Sequence, residues 1–284
     1  MLKDNTPMIH EGIRTAYAES DVVVFGIPFD GTTSFRPGTR FGPQAVRQEL
    51  DGLETYSPYL DRDLLDCKVC DLGDIALPFG NTTRAMELIW QEARALVQDG
   101  KKTLAIGGEH LISLPVIKAW LEKYPDLQIV HFDAHADLRD DYLGEKLSHA
   151  SVMRRVFESL RSGRIWQFGI RSGTKAEFEF AAENTVMQRF DLAGVEELPY
   201  VLGTGPVYLS IDLDVLDPSV FGGTGTPEPG GVTFKELMAA MAVLAQLNVV
   251  GGDVVELAPH YDHSGVSTAV ACKVLRELSL ILAK

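Results

Sequence analysis

The chain has 284 residues, with 26 lysines and arginines against 40 aspartates and glutamates, which gives a formal net charge of −14. This acidic balance argues against nucleic acid or an anionic membrane surface as a partner and suits a small cationic molecule. No Pro- or Ser-rich linker or shift in composition divides the sequence, so we expect one domain over residues 1–284.

Eight short apolar runs have the length and composition of β-strands. In chain order they lie near residues 21–27, 67–71, 103–106, 127–132, 164–170, 185–190, 207–211 and 249–256. Helical patterns fall between most of them, and parallel neighbours need such crossover connections. The alternation therefore predicts an α/β fold with a largely parallel sheet, but it does not separate a closed barrel from an open sheet.

Local signals place several of the helices. Pro43 stands at a first-turn position and opens one helix, and apolar residues at helical spacing predict another over 82–97. Capping boxes begin two more, one at 174–177 and one at 233–236. The stretch 267–282 has the pattern of a long amphipathic helix.

The polar start of the chain and its cysteines indicate the cellular compartment of the protein. We expect no signal peptide and no membrane span, because no apolar stretch is long enough to cross a bilayer, and hence a cytoplasmic location. Cys67, Cys70 and Cys272 cannot form a disulfide framework. Cys67 and Cys70 have redox-motif spacing, but they lie in a strand-like run without a helix N-terminus, so we expect buried structural cysteines.

Two Asp-rich segments stand at the ends of the fourth and seventh strand-like runs. They carry Asp133, His135 and Asp137, and then Asp212 and Asp214. Residues i, i+2 and i+4 of an extended chain point the same way, so each set can converge on one spot. A lone Asp-x-Asp is more often a turn or an N-cap, but these four carboxylates together would repel each other unless cations lie among them. The pattern predicts a binuclear metal site.

A third segment adds a histidine to this site. Gly107 and Gly108 follow the run at 103–106, and we expect the two glycines to let the backbone turn so that His110 points back over the strand end. All three contributions come from the carboxyl ends of strands, where open α/β sheets build their sites.

The three motifs resemble those of the ureohydrolases, the arginase and agmatinase family. They are Gly-Gly-Asp/Glu-His at 107–110, Asp-Ala-His-x-Asp at 133–137 and Ser-x-Asp-x-Asp-x-x-Asp-Pro at 210–218. Together with segments near 26–43, 223–227 and 255–262, the resemblance covers nearly the whole chain. It implies a three-layer α/β/α sandwich with a mainly parallel eight-stranded sheet, and a homo-oligomer that is a trimer or a hexamer.

The resemblance also implies two Mn²⁺ ions per chain. The first would be held by His110, Asp133, Asp137 and Asp212, and the second by Asp133, His135, Asp212 and Asp214. Such a ligand set, without a thiolate, suits an oxygen-preferring ion such as manganese better than tetrahedral zinc. Two ions roughly 3.5–4 Å apart can share a water and lower its pKa toward neutrality.

The charge of this site predicts a cationic substrate. With two divalent ions, four aspartates and a hydroxide the site stays negative, and Glu256, after the last strand-like run, makes it more so. A guanidinium is a planar cation whose paired N–H donors fit a carboxylate. His149 matches the acid/base histidine of the family, and its titration range suits proton transfer to a departing amine. We therefore expect Glu256 and His149 to be the catalytic residues.

The loop just ahead of His149 bears on which guanidine compound is cleaved. Arginases bind the α-carboxylate and α-amine of their substrate there with a serine- and asparagine-containing loop. This loop instead carries Asp140, Asp141 and Glu145, which suit an amine tail better, and it looks like the loop of bacterial and archaeal agmatinases. The interpretation is hydrolysis of agmatine to putrescine and urea, with guanidinobutyrase and arginase as open alternatives.

Two other classes are less consistent with the sequence. A binuclear phosphoesterase would need a Gly-rich or basic phosphate cradle, and none is evident near these strand ends. A metal-binding protein without activity would need neither His149 nor Glu256.

The other histidines and Glu109 are not predicted to be metal ligands or catalytic residues. His131 lies within a strand and is expected to be a satisfied core group or to contact a metal ligand. No role is assigned to His10, His260 and His263. Glu109 is expected to point away from the metals.

Overall fold

Eight strands form one sheet at the centre of the computed structural model, which describes residues 10–284. The polar start, on which the expectation of no signal peptide rests, lies outside the described residues. In chain order the strands are β1 (Val22–Ile27), β2 (Tyr56–Ser57), β3 (Arg62–Asp63), β4 (Val69–Asp74), β5 (Lys102–Gly107), β6 (Gln128–Phe132), β7 (Ile165–Ile170), β8 (Val186–Arg189), β9 (Pro206–Asp212) and β10 (Asn248–Val255). β2 and β3 form a separate antiparallel pair.

The large sheet has the strand order β4-β1-β5-β10-β9-β6-β7-β8, and each neighbouring pair in it is parallel. β4 and β8 are its two edges, so the sheet is open and is not a barrel. Each of the eight strand-like runs of the sequence falls on one of these strands. The prediction of a parallel eight-stranded sheet is confirmed.

The helices cover both faces of this sheet. They are α1 (Gly42–Leu50), α2 (Thr82–Gln98), α3 (Ser113–Lys123), α4 (Val152–Ser159), α5 (Lys175–Asn184), α6 (Leu198–Leu202), α7 (Phe234–Leu244) and α8 (Val266–Leu282). Side chains of α1, α7 and α8 form one apolar core with Val22 and Val24 of β1, whereas α2, α3 and α4 form a second core with Val23 and Phe25. This alternation along β1 gives the three-layer α/β/α sandwich that was expected.

Helix starts follow the predicted signals. Thr174 with Glu177, and Thr233 with Glu236, form complete capping boxes at the starts of α5 and α7. The description of the last helix as amphipathic is wrong, because 14 residues of α8 are buried. This helix packs against α1, α7 and β10, so its polar residues are also covered.

The three cysteines are free thiols, as expected. Cys70 and Cys272 are buried, and Cys67 is half-buried. Burial raises the pKa of Cys70 to about 11 and that of Cys272 to about 12, so both thiols stay protonated at neutral pH. Among residues 10–284, no helix is both long and apolar enough to cross a membrane.

Candidate metal centre

Four adjacent strands at the middle of the sheet carry the candidate site on their carboxyl ends. In spatial order these are β5, β10, β9 and β6. β5 leads to His110, β10 to Glu256 and β6 to Asp133, while Asp212 is the last residue of β9. Parallel strands end at the same edge of a sheet, so residues distant in sequence meet at this edge.

Gly108 is needed where the chain leaves β5, because the backbone passes directly against the loop after β1. A Cβ added at Gly108 would lie 1.9 Å from the carbonyl oxygen of Phe29. The next residue, Glu109, donates its N–H to the same carbonyl at 2.7 Å. This close approach, rather than a left-handed turn, positions His110 over the strand end.

His110 Nδ1 lies at the centre of three carboxylates. It is 3.1 Å from Asp133 Oδ2, 3.2 Å from Asp137 Oδ2 and 3.2 Å from Asp212 Oδ2. The atom is buried, yet within the described part of the chain none of these contacts has hydrogen-bond geometry. A buried nitrogen facing three oxygens without hydrogen bonds is the arrangement expected where a cation is coordinated.

A second group of donors adjoins the first. His135 Nδ1 lies 3.1 Å from Asp214 Oδ2 and 3.3 Å from Asp133 Oδ1. Asp133 therefore presents Oδ2 to the first group and Oδ1 to the second, as a bridging carboxylate would. Asp212 was also expected to bind both ions, but only its Oδ2 faces the first group. Its Oδ1 accepts the N–H of Asp214 at 2.9 Å, so Asp212 is both a candidate ligand and an N-cap residue.

The six residues predicted as metal ligands thus lie together, and they fit divalent cations. The donors are imidazole nitrogens and carboxylate oxygens, the set that manganese accepts. Burial and neighbouring carboxylates raise the pKa of Asp137 to about 7 and hold the pKa of Asp212 and Glu256 well above the usual range. The cluster therefore favours bound protons unless cations offset its charge.

Two residues of the site have backbone conformations that non-glycine residues rarely adopt. Asp137 has φ 55° and Glu256 has φ 68°. The carbonyl of Asp137 accepts the N–H groups of Met153 and Arg154 at the start of α4. Glu256 donates its N–H to the carbonyl of Gly108, and its Oε1 accepts the N–H of His110 at 2.8 Å. These contacts hold both side chains toward the site, and such strained residues concentrate at functional sites.

His149 lies beside the metal donors and is held by the loop after β1. Its backbone N–H donates to Thr32 Oγ1 at 3.1 Å, and its ring Nε2 is 3.2 Å from Ser34 Oγ. Burial lowers the pKa of His149 to about 4, so the imidazole is neutral at neutral pH and can accept a proton.

The Glu109 side chain holds the loop after β1 that contacts His149. Its carboxylate accepts the N–H and the hydroxyl of Thr32, and also the hydroxyl of Thr33 at 3.1 Å. Sequence reasoning gave no part to Glu109, Thr32 or Ser34, because the link to His149 depends on contacts between loops far apart in the chain.

A cavity of about 300 Å³ opens above the candidate metal centre. It is lined by Ser34, His110, His135, Ala136, Asp137, Arg139, Tyr142, His149, Ala150, Ser172, Gly173, Thr174, Glu177, Asp212, Thr226 and Glu256. Both residues expected to be catalytic therefore face the same space as the metal donors. His260 packs on Phe41 instead, with ring centroids 4.8 Å apart.

The acidic residues of the loop ahead of His149, which were expected to suit an amine tail, do not line this cavity. Over residues 10–284 the lining includes Arg139 and Tyr142 of this loop but not Asp140, Asp141 or Glu145. Tyr142 and Glu145 pair across a tight turn, with Tyr142 half-buried, whereas Asp140, Asp141 and Glu145 are exposed. Asp140 has a side chain that is 66% exposed and pairs with Arg155.

Comparisons with known proteins agree with this geometry. The model of the Arginase family matches residues 20–281. The chain is 49% identical to the agmatinase of Bacillus subtilis, over 94% of this chain and 93% of that protein. It is 35% identical to the guanidinobutyrase of Pseudomonas aeruginosa, over 92% and 86%. The agmatine ureohydrolase structure from Thermoplasma volcanium superposes with a TM-score of 0.87 at 31% identity, over 99% of this chain and 96% of that one.

Proposed function

The chain belongs to the arginase family, and we propose that it is a binuclear manganese hydrolase that cleaves agmatine to putrescine and urea, a step that supplies a polyamine. The observation that carries the proposal is the arrangement around His110 Nδ1, where three carboxylate oxygens lie within 3.2 Å of a buried nitrogen without hydrogen-bonding to it. The relatives named agmatinase support the substrate.

Six residues would hold the two ions. His110, Asp137 and Asp212 face one position, His135 and Asp214 face the other, and Asp133 offers an oxygen to each. When bound, two divalent ions supply a water with a lowered pKa as the nucleophile. The absence of sulfur among these donors favours manganese over zinc.

Glu256 would bind and orient the guanidinium. Its Oε1 accepts the backbone N–H of His110, which fixes the carboxylate in the lining of the cavity. Glu256 lines the cavity, where a planar cation with paired N–H donors can bind a carboxylate. A fixed carboxylate places the guanidinium carbon over the metal donors, and such positioning contributes to rate.

His149 would carry the proton that the leaving amine needs. Hydrolysis adds the oxygen of water to the guanidinium carbon and breaks the C–N bond to the tail, so the tail nitrogen must gain a proton. His149 is neutral at neutral pH and lines the cavity, so it can accept a proton released on that side and donate it to the tail nitrogen. Ser34 Oγ contacts ring Nε2 at 3.2 Å and Thr32 Oγ1 contacts ring Nδ1 at 3.5 Å, and these contacts hold the ring in place.

The lining of the cavity also contains a pair of opposite charges. Arg139 Nε lies 3.5 Å from Glu177 Oε2, and the guanidinium of Arg139 stacks on the Tyr142 ring at 4.6 Å. A carboxylate tail would have to compete with Glu177 for Arg139. An ammonium tail meets a pair that is already neutral overall, which favours agmatine.

Purified protein with Mn²⁺ should release urea from agmatine with a kcat/KM roughly a hundredfold higher than from arginine or 4-guanidinobutyrate, because a buried carboxylate without its own partner costs a few kcal/mol. The measurement is a substrate panel with detection of urea and of the amine product. A higher kcat/KM for 4-guanidinobutyrate would show that the substrate assignment is wrong while leaving the ureohydrolase class intact.

Guanidinobutyrase is the second candidate, and Arg139 is the observation that favours it, because a guanidinium in the cavity wall is a natural partner for a carboxylate tail. Arg139→Gln should therefore lower kcat/KM for 4-guanidinobutyrate relative to agmatine by roughly tenfold. A tenfold change corresponds to about 1.4 kcal/mol. We expect an effect below the range of about 1.5–3 kcal/mol for a hydrogen bond to a charged group, because the Arg139 side chain is 35% exposed and solvent screens its charge.

Asp140→Asn is the matched control, because it changes one charge in the same loop outside the cavity. Its ratio of kcat/KM values should equal that of the wild type. A shift of similar size but opposite direction in Asp140→Asn would mean that the charge of the loop, and not Arg139 itself, sets the preference, because the two variants change that charge with opposite signs.

A further inference from the structure

Four buried polar side chains form a row across four adjacent strands, beneath the candidate metal centre. Gln167 on β7 is in register with His131 on β6, His131 with Ser210 on β9, and Ser210 with Asp253 on β10. All four have 0% exposure, which is unusual for polar residues at the centre of a sheet. We call these four residues the buried polar row.

The first half of the row holds Asp133. Gln167 Nε2 donates to His131 Nδ1 at 3.1 Å and to the carbonyl of Ala136 at 2.9 Å. The carbonyl of Ala136 can only accept, so it fixes which end of the amide carries the hydrogens, and Gln167 Oε1 lies 3.1 Å from the hydroxyl of Thr185. His131 Nδ1 must then be an acceptor, so the ring hydrogen is on Nε2 and is donated to Asp133 Oδ2 at 2.9 Å.

The second half of the row holds His110. Ser210 donates its hydroxyl hydrogen to Asp253 Oδ1 at 2.8 Å, and Tyr208 donates to Asp253 Oδ2 at 2.7 Å. The Ser210 oxygen is then free to accept, and His110 Nε2 lies 2.8 Å from it. With its ring hydrogen on Nε2, His110 directs the lone pair of Nδ1 toward the three carboxylates.

We propose that the buried polar row positions the first metal ion, by fixing which ring nitrogen of His110 and of His131 carries the hydrogen. Hydrogen bonds to the atoms behind a metal ligand fix its tautomer and orientation. His131 is then a positioning residue and not a ligand. It groups with His110 and Asp133 as a possible donor, but both of its ring nitrogens already have partners.

This inference rests on the metal centre of the proposed function but not on the identity of the substrate. Its test is a Mn²⁺ titration of metal-stripped protein, in which binding is measured by calorimetry and by the EPR signal of free Mn²⁺. Ser210→Ala and His131→Asn should each weaken binding of one ion roughly 10–100-fold, the usual effect of losing a partner of a ligand. The second ion should be affected much less.

Two further variants separate positioning from general damage. His131→Gln places an amide N–H where ring Nε2 stood, so it should retain much more affinity than His131→Asn, whose side chain is too short to reach Asp133. Thr103→Val is the control. Thr103 lies on the neighbouring strand β5, outside the row, and the variant removes a buried hydrogen bond that its hydroxyl accepts from Trp120 of α3. It should bind both ions with wild-type affinity even if its stability falls.

A spectroscopic measurement tests the ligand alternative. With one Mn²⁺ bound per chain, the ¹⁴N electron spin-echo modulation should be the same in wild type and His131→Gln, because His131 does not touch the ion. A weaker modulation in His131→Gln than in the wild type, with that of His110 remaining, would make His131 a ligand and overturn the inference. Wild-type affinity in both Ser210→Ala and His131→Asn would also overturn it, whereas a wild type that binds no Mn²⁺ would refute the metal centre itself.

Discussion

Replacing Asp133 with asparagine should abolish the binding of two ions and lower kcat for urea release from agmatine by more than about 100-fold. The reason is geometric, because Asp133 offers Oδ2 to the group around His110 and Oδ1 to the group around His135. Loss of a partner behind a ligand already costs about 10–100-fold in affinity or activity, so loss of a bridging ligand should cost more. Metal analysis after gel filtration, together with turnover, measures both effects.

Asp217→Asn is the matched control for this variant. Asp217 belongs to the same motif as Asp212 and Asp214, but its carboxylate accepts hydrogen bonds from Ser219 and Gly230 and does not reach the cavity. This variant should keep both ions and most of the activity. Full metal content and full turnover in Asp133→Asn would show that the bridge is elsewhere.

His149→Ala should lower kcat by roughly 10²–10⁴-fold while leaving the metal content unchanged, since general acid–base catalysis contributes on this scale. The imidazole lines the cavity, and its lowered pKa keeps it in the neutral form that can accept a proton at pH 7. The measurement is kcat across pH 6–9, with metal analysis of the same samples.

His260→Ala is the control for this histidine, because His260 packs on Phe41 outside the cavity. It should retain wild-type turnover. If His149→Ala keeps wild-type kcat across this pH range, another group transfers the proton. If it loses metal, His149 acts on the metal centre and not on the proton.

The sheet and the metal donors were predictable from the sequence because their signals are local. Each strand of the large sheet is a short apolar run, and Asp133, His135 and Asp137 follow one such run at a spacing of two residues. The carboxyl ends of parallel strands meet at one edge, so the motifs could be placed together before any contact was known.

Features that depend on contacts between distant segments were not predictable. Asp140 and Glu145 suggested acidic partners for an amine tail, but both carboxylates are exposed, and Asp140 pairs with Arg155. The anchoring of Thr32 by Glu109 joins residues 77 positions apart. The buried polar row requires the register of four strands, and that register is not encoded in the pattern of any one of them.

The most direct test of the binuclear mechanism is a Mn²⁺ titration of metal-stripped protein in which urea and putrescine released from agmatine are measured at each step. We predict that activity rises to a maximum at two ions per chain and that the two products form in equal amounts. Full activity without metal, or a maximum at one ion per chain, would contradict the account.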